Sequence, residues 1–316
     1  MRLTWLSLVL AATLTAAVAP AARAFEEFTP TQPLGMGGAS RAWATGDAGP
    51  LLNPSGMTLI KAYTLEGTYG YGTRQDDQFL HASVVDNTSS YNLAGGLYYT
   101  YHSMDPSGGV SGHGHEAGLS LAFPFGNYVA IGATLKYFNL AGGDAPGGND
   151  GGVTFDLGIT VRPMPVLSVA VVGNNIRSLD NGQVPQTVGY GVAVLPTPAL
   201  VLAADGLTRF TADNQTGRKG TSAMVGASYT LFGKMAIRAG GGYDAATGNG
   251  YATLGLSAIS DIGALDGGVR QDLFRSQDDA GVARPRETVV GLSLRLFIPA
   301  SQTNQDPSSF ANEQQQ

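Results

Sequence analysis

The decapeptide VTFDLGITVR, Val153–Arg162, alternates without a fault. Val153, Phe155, Leu157, Ile159 and Val161 are apolar, while Thr154, Asp156, Gly158, Thr160 and Arg162 are polar or small. A period of two places the two sets on opposite faces of an extended strand. Wound into a helix, the same residues would scatter around the whole circumference. One face is continuous hydrocarbon and the other carries both an acid and a base. The rhythm recurs on either side. Val129, Ile131, Ala133, Leu135 and Tyr137 alternate with Gly132, Thr134 and Lys136, and Val290, Leu292, Leu294 and Leu296 with Gly291, Ser293 and Arg295.

Extended along the chain, this pattern predicts fourteen strands: 63–72, 79–86, 91–102, 115–124, 128–140, 153–163, 167–174, 186–195, 200–208, 221–232, 235–244, 250–260, 263–274 and 288–298. Each is near the ~9–11 residues that a tilted strand needs to cross a bilayer. From the second strand onward the connections alternate, short "FGN", "MPV" and "PTPA" against long "SMDPSGGVSGHG", "GGDAPGGNDGG" and "RSQDDAGVARPRE". Transmembrane barrels have this asymmetry, with tight turns at the periplasmic rim and longer loops outside. An even strand number puts both termini on the periplasmic side. The expected fold is all-β, a 14-stranded antiparallel transmembrane β-barrel over residues 63–298. Tyr63, Tyr98, Tyr99, Tyr101, Tyr128, Tyr137, Phe232 and Phe297 are the candidates for its interfacial aromatic girdles.

The ends and the composition agree with export. Arg2, the apolar run Leu3–Val18, Pro20 and Ala22-Arg23-Ala24 read as a cleaved signal peptide over residues 1–24. No cysteine is present, which excludes disulfides, thiolate metal sites and a lipid anchor. A net charge of −6 without a basic cluster speaks against nucleic acid. Glycine supplies 45 of 316 residues, about twice the usual share, and charged residues only 13%. The expected location is the bacterial outer membrane, with membrane lipid as the first partner. After the final strand, residues 299–316 read as a disordered periplasmic tail.

A barrel of this size is too wide for its own side chains to fill. Its lumen positions carry both signs: Glu66, Lys136, Asp156, Arg162, Asp205, Arg238, Asp266, Arg270, Asp272 and Arg295. Such charges need partners or water. Residues 25–62 have neither period and are rich in glycine, and they offer Arg41, Asp47 and Asn53 as partners. Irregular backbone at membrane depth is tolerated only inside protein or water, so this segment is expected to be an N-terminal hatch inside the lumen.

Within it, LGMGGASRAWATGDAGPLLNPSGM resembles the N-terminal signature of the FadL-type outer-membrane proteins, through Leu34–Ala39, Asp47-Ala48 and Asn53–Gly56. The resemblance assigns gating of the hatch to Gly35, Gly37, Gly38, Asp47, Asn53, Pro54 and Gly56. It implies passive transport of a hydrophobic small molecule such as a long-chain fatty acid, without a cofactor. It also implies sideways release at a distorted third strand, where Gly95 and Gly96 form the candidate lateral gate. A shorter PorV-like branch of the family implies instead a platform or shuttle for secretion or motility machinery, partnered by other outer-membrane or periplasmic proteins. The short polar loops here resemble that branch.

Other signals are weaker. Gly35-Met36-Gly37-Gly38 lacks the strand, helix and lysine of a phosphate loop. His113-Gly114-His115-Glu116 has no third metal ligand, and the acidic loops lack the spacing of a calcium loop. His81 and Ser83 share a lumen face, but no acid is placed to orient the histidine. The expectation is a protein with no catalytic residues, no metal site and no cofactor.

Overall fold

A computed structural model describes residues 28–74, 76–104, 111–142, 149–179, 183–211, 219–274 and 286–298. The segments expected as signal peptide and as periplasmic tail, and the RSQDDAG loop, lie outside them. The strands are β1 Tyr63–Gly72, β2 Asp77–Asp86, β3 Ala94–Met104, β4 Gly112–Phe125, β5 Val129–Gly142, β6 Asn149–Met164 and β7 Leu167–Asn174. They continue as β8 Thr187–Thr197, β9 Leu200–Arg209, β10 Gly220–Leu231, β11 Met235–Asp244, β12 Asn249–Ser260, β13 Gly263–Asp272 and β14 Thr288–Ile298. Every neighbour is antiparallel, and β14 returns to β1 from Tyr63↔Ile298 to Gly72↔Val289, closing the barrel. Closure leaves no strand edge exposed to lipid.

The faces follow the two-residue rhythm. Leu157, Leu254 and Leu292 stand outside, 47%, 61% and 56% exposed, whereas Asp156, Thr160 and Asp266 point inward at 0%. An apolar exterior around a charged interior inverts the order of a water-soluble protein, and hydrocarbon is the solvent that suits it. This is a membrane-spanning barrel.

The differences from expectation are local. β4 and β6 reach 14 and 16 residues, because Gly112–Gly114 and Asn149–Gly152, expected as loop, are zipped against β5 and its neighbours. Register shifts fall between Val161 and Met164 and between Val194 and Thr197. They flank Pro163 and Pro196, each of which lacks the N–H that a ladder requires. Tyr98 and Phe297 do not join an outer girdle: Tyr98 is 5% exposed on the lumen face, and Phe297 shares the parity of inward Arg295.

The lateral gap expected at Gly95 and Gly96 is absent. β3 pairs without a break through Val85↔Gly96 and Asp86↔Gly95 on one side, and through Gly95↔Leu121 and Gly96↔Ser120 on the other. A paired strand needs backbone rather than side chains to keep its ladder, so two glycines do not open it. Gly96 serves a different purpose. A Cβ there would lie 2.9 Å from Pro50 and 3.0 Å from Met57, so its bareness makes room for the segment inside.

Candidate functional site

That inner segment crosses the lumen as helix α1 (Thr31–Gly35), a 3-10 turn at Arg41–Trp43, helix α2 (Ala48–Leu52) and a second 3-10 turn at Pro54–Thr58. Helices of five residues are not stable alone; the wall holds them. Asn53 starts the second turn by accepting from Ser55 N–H at 3.2 Å, with Pro54 at the first helical position. The same Asn53 amide donates to the Arg41 carbonyl at 2.8 Å and to Thr160 on β6 at 3.0 Å. Thr134 donates to the Pro50 carbonyl, Tyr251 to that of Gly37 at 2.8 Å and Thr253 to that of Gly35 at 3.1 Å.

Glycines let the plug come this close. A Cβ on Gly158 would sit 2.1 Å from Asn53 Oδ1, on Gly132 2.4 Å from Ser55 N, and on Gly226 or Gly240 within 2.4 Å of Met36. Gly189, Gly191, Gly255, Gly268 and Gly291 complete the inward set against the plug. Within the plug, Gly56 backs onto the Ala44 carbonyl, and Gly37 and Gly38 take positive φ of 69° and 81° in the bend after α1.

The lumen charges gather in groups. Asp205 accepts from the N–H groups of Ser40 and Arg41 at 2.9 and 2.8 Å and pairs with the Arg41 guanidinium at 3.3 Å. Arg295 grips Asp266 through two nitrogens at 2.8 and 3.0 Å, and Arg238 reaches the same carboxylate at 3.6 Å and Gln32 of the plug at 3.2 Å. Beside them the carboxyls of Asp47 and Glu66 meet across the plug–wall boundary. Burial pushes the Asp47 carboxyl up to about 6, against the opposing pull of its Glu66 hydrogen bond and of Arg295. Lys136 sits 2.7 Å from Asp156 and 4.0 Å from Glu116. Arg270 pairs with Asp272 at 3.6 Å and lies over the Tyr251 ring, and Arg162 donates to the Pro165 carbonyl near the short-turn rim. The ten predicted lumen residues all face inward, in several clusters rather than one centre.

Two cavities flank α2. On the long-loop side, one is lined by apolar Phe28, Leu51, Phe138, Leu140, Val184 and Pro185 and by polar His102, His115, Glu116, Lys136, Asn175 and Gln183. On the short-turn side, a second lies among Gln32, Pro33, Trp43, Ala48, Val201 and Arg238. Leu51 and Ala48 face opposite cavities from the same helix. The mostly apolar cavity on the long-loop side, the antechamber, thus lies across α2 from the cavity on the short-turn side.

The chain has the fold of the hydrocarbon channels. The CymD monoaromatic hydrocarbon channel is similar over 87% of this chain and 99% of its own, with a TM-score of 0.66 and 14% identity. The Pseudomonas putida toluene transporter TodX gives 0.64 and 12%, over 87% and 98% of the two chains. A Pseudomonas aeruginosa FadL homologue gives 0.59 and 13%, over 85% and 97%. No protein-family model matches the sequence, and no curated protein matches it.

The barrel and its inner segment were legible in the alternation and its interruption; the antechamber was not. Its lining comes from the plug and the residues before it, β3, β4, β5 and the β7–β8 connection. Inward parity marks Glu116 and Phe138, but nothing local brings Phe28 and Val184 beside them. His113 and His115 face outward from β4 while Glu116 faces inward, so that trio does not converge, and among the described residues no group of three ligands could hold a metal.

Proposed function

We propose that this protein is a passive outer-membrane channel for small hydrophobic molecules. The observation that carries the reading is the apolar antechamber on the long-loop face of a plugged barrel. A dissolved hydrophobic molecule leaves water there by burial against Phe28, Leu51, Phe138, Leu140 and Val184. Concentration difference alone then drives it onward. With β3 intact at Gly95 and Gly96, passage runs past α2 toward the short-turn cavity rather than out through that wall. The gating residues Gly35, Gly37, Gly38, Asp47, Asn53, Pro54 and Gly56 are the joints and anchors that must yield. Residues 1–24 are the export signal, and the long loops face the cell exterior.

The named activities of the fold neighbours, toluene and monoaromatic hydrocarbon channels, favour a compact hydrophobic cargo over a long-chain fatty acid. The test is uptake of radiolabelled toluene by cells lacking the gene and by complemented cells. Complementation should raise the initial rate severalfold; equal rates would overturn the reading. The tight fit of the plug supports a second reading, a sealed barrel serving as an outer-membrane platform. A stoichiometric protein partner recovered from gently solubilised membranes, together with unchanged uptake, would establish that alternative.

A further inference from the structure

We propose that Phe28, its ring set by His81, is the residue by which the antechamber distinguishes an aromatic ring from a saturated one of the same carbon skeleton. The inference rests on reading this cavity as the ligand port. It starts from strand parity. Phe79 and His81 stand two apart on β2 and both point inward, and the register places Thr100 of β3 opposite His81 and His102 opposite Phe79. His81 is 1% exposed, and its Nδ1 lies 2.8 Å from Thr100 Oγ1, which fixes the plane of the imidazole. Phe28, at the start of the plug, lays its ring on that plane, with centroids 4.8 Å apart and an angle of 21°. Phe79 flanks it at 5.9 Å and 40°, and His102 closes on Phe79 edge-on at 4.9 Å. These separations are those of favourable ring pairs. Phe28 is itself buried and lines the antechamber. The ring that a ligand meets there is thus one member of a stack held from the wall, not a side chain free to turn.

An aromatic ring has a negative face and a positive edge, and it gains from a fixed partner ring beyond the area it buries. A saturated ring gains only the burial. Because the wall has already ordered Phe28, that gain is not offset by immobilising the side chain on binding. His81 acts through Phe28 and is a positioning residue.

Toluene and methylcyclohexane share one carbon skeleton and separate the two effects. Each is titrated calorimetrically into the full-length purified protein in nanodiscs. Its affinity is expressed relative to its partition into protein-free nanodiscs, which cancels the difference in hydrophobicity. Toluene should then bind about fivefold tighter, the size of one ring pair. Phe28→Leu should weaken toluene by that factor and leave methylcyclohexane unchanged, and Phe28→Tyr should keep the preference. His81→Leu should lose it as well, whereas His81→Phe, which restores a flat ring against Phe28, should retain it. Equal relative affinities in the unaltered protein, or a preference that survives in Phe28→Leu, overturn the inference and leave the port reading standing. So does an equal loss of both ligands in Phe28→Leu, since Phe28 then acts as hydrocarbon alone. Binding of neither ligand overturns the port, and the inference with it. Where Phe28→Leu fails to fold, Phe28→Met reads the same difference.

Discussion

At the scale of single residues, Asp47 is the group most exposed to a change of conditions. It is 1% exposed, and burial raises its carboxyl to about 6, with Glu66, Asp266, Arg295 and, behind them, Arg238 as the charged groups around it. When the plug leaves the wall and Asp47 meets water, the value returns to its ordinary 3.8. The seated plug therefore binds more protons between these two values, and linkage fixes the sign. The contribution of Asp47 to plug attachment is complete below 3.8, falls as pH rises through about 6, and is level above it. Asp47→Asn should remove that slope and hold the plug more firmly above pH 6. Trp43, one of two tryptophans and half-buried in the plug, gives the readout. Its emission during urea titration should show the wild-type midpoint dropping between pH 4 and 7 relative to the variant. Parallel midpoints across that range would refute the linkage.

At the scale of elements, the strands were legible and the contacts between them and the plug only partly so. Alternation depends on neighbours in sequence, and β1, β7, β11 and β14 begin and end where the pattern puts them. Gly112–Gly114 and Asn149–Gly152 escaped, because glycine signals a turn locally while a partner strand can still zip it. Glycine misled again at Gly95 and Gly96, where a composition suited to a gap serves the close approach of Pro50 and Met57. The antechamber was illegible for a related reason, since Phe28, Glu116, Phe138 and Val184 meet only after the plug is seated. The glycine lining itself is testable. Gly158→Ala forces a methyl against Asn53, whose amide ties the plug to Thr160 and to the Arg41 carbonyl. Loss of one or two buried hydrogen bonds corresponds to about 1–3 kcal/mol each. Gly67→Ala, with nothing within 4 Å of the new methyl, provides the control on the same kind of strand. Limited proteolysis should cleave the plug of the first variant well before that of the second. Equal protection would mean that the plug does not depend on backbone contact with β6.

At the scale of the whole molecule, wall and plug are held by different forces, and this separates their fates. The wall satisfies its own backbone groups strand to strand around a closed ring, and its stability in lipid comes from that closure and from the apolar belt outside. The plug contributes no strand to the ring and is fastened to lumen side chains such as Asp205, Thr160, Tyr251 and Thr253. Removing residues 28–58 should therefore leave a barrel that still inserts but is no longer closed. Water would enter beside Lys136, Asp156, Asp205, Arg238, Asp266 and Arg295, which have lain against the plug or each other. A lumen lined by both signs conducts ions without strong preference, and fourteen strands enclose more space than side chains can fill. In planar bilayers the intact protein should remain electrically silent while the deletion variant opens steady, weakly selective steps. The same variant should bind toluene more weakly, because Phe28 and Leu51 leave with the plug. A silent deletion variant that still shows the far-UV signature of a barrel would mean that the wall closes on itself, and that the plug is cargo of the fold rather than its stopper.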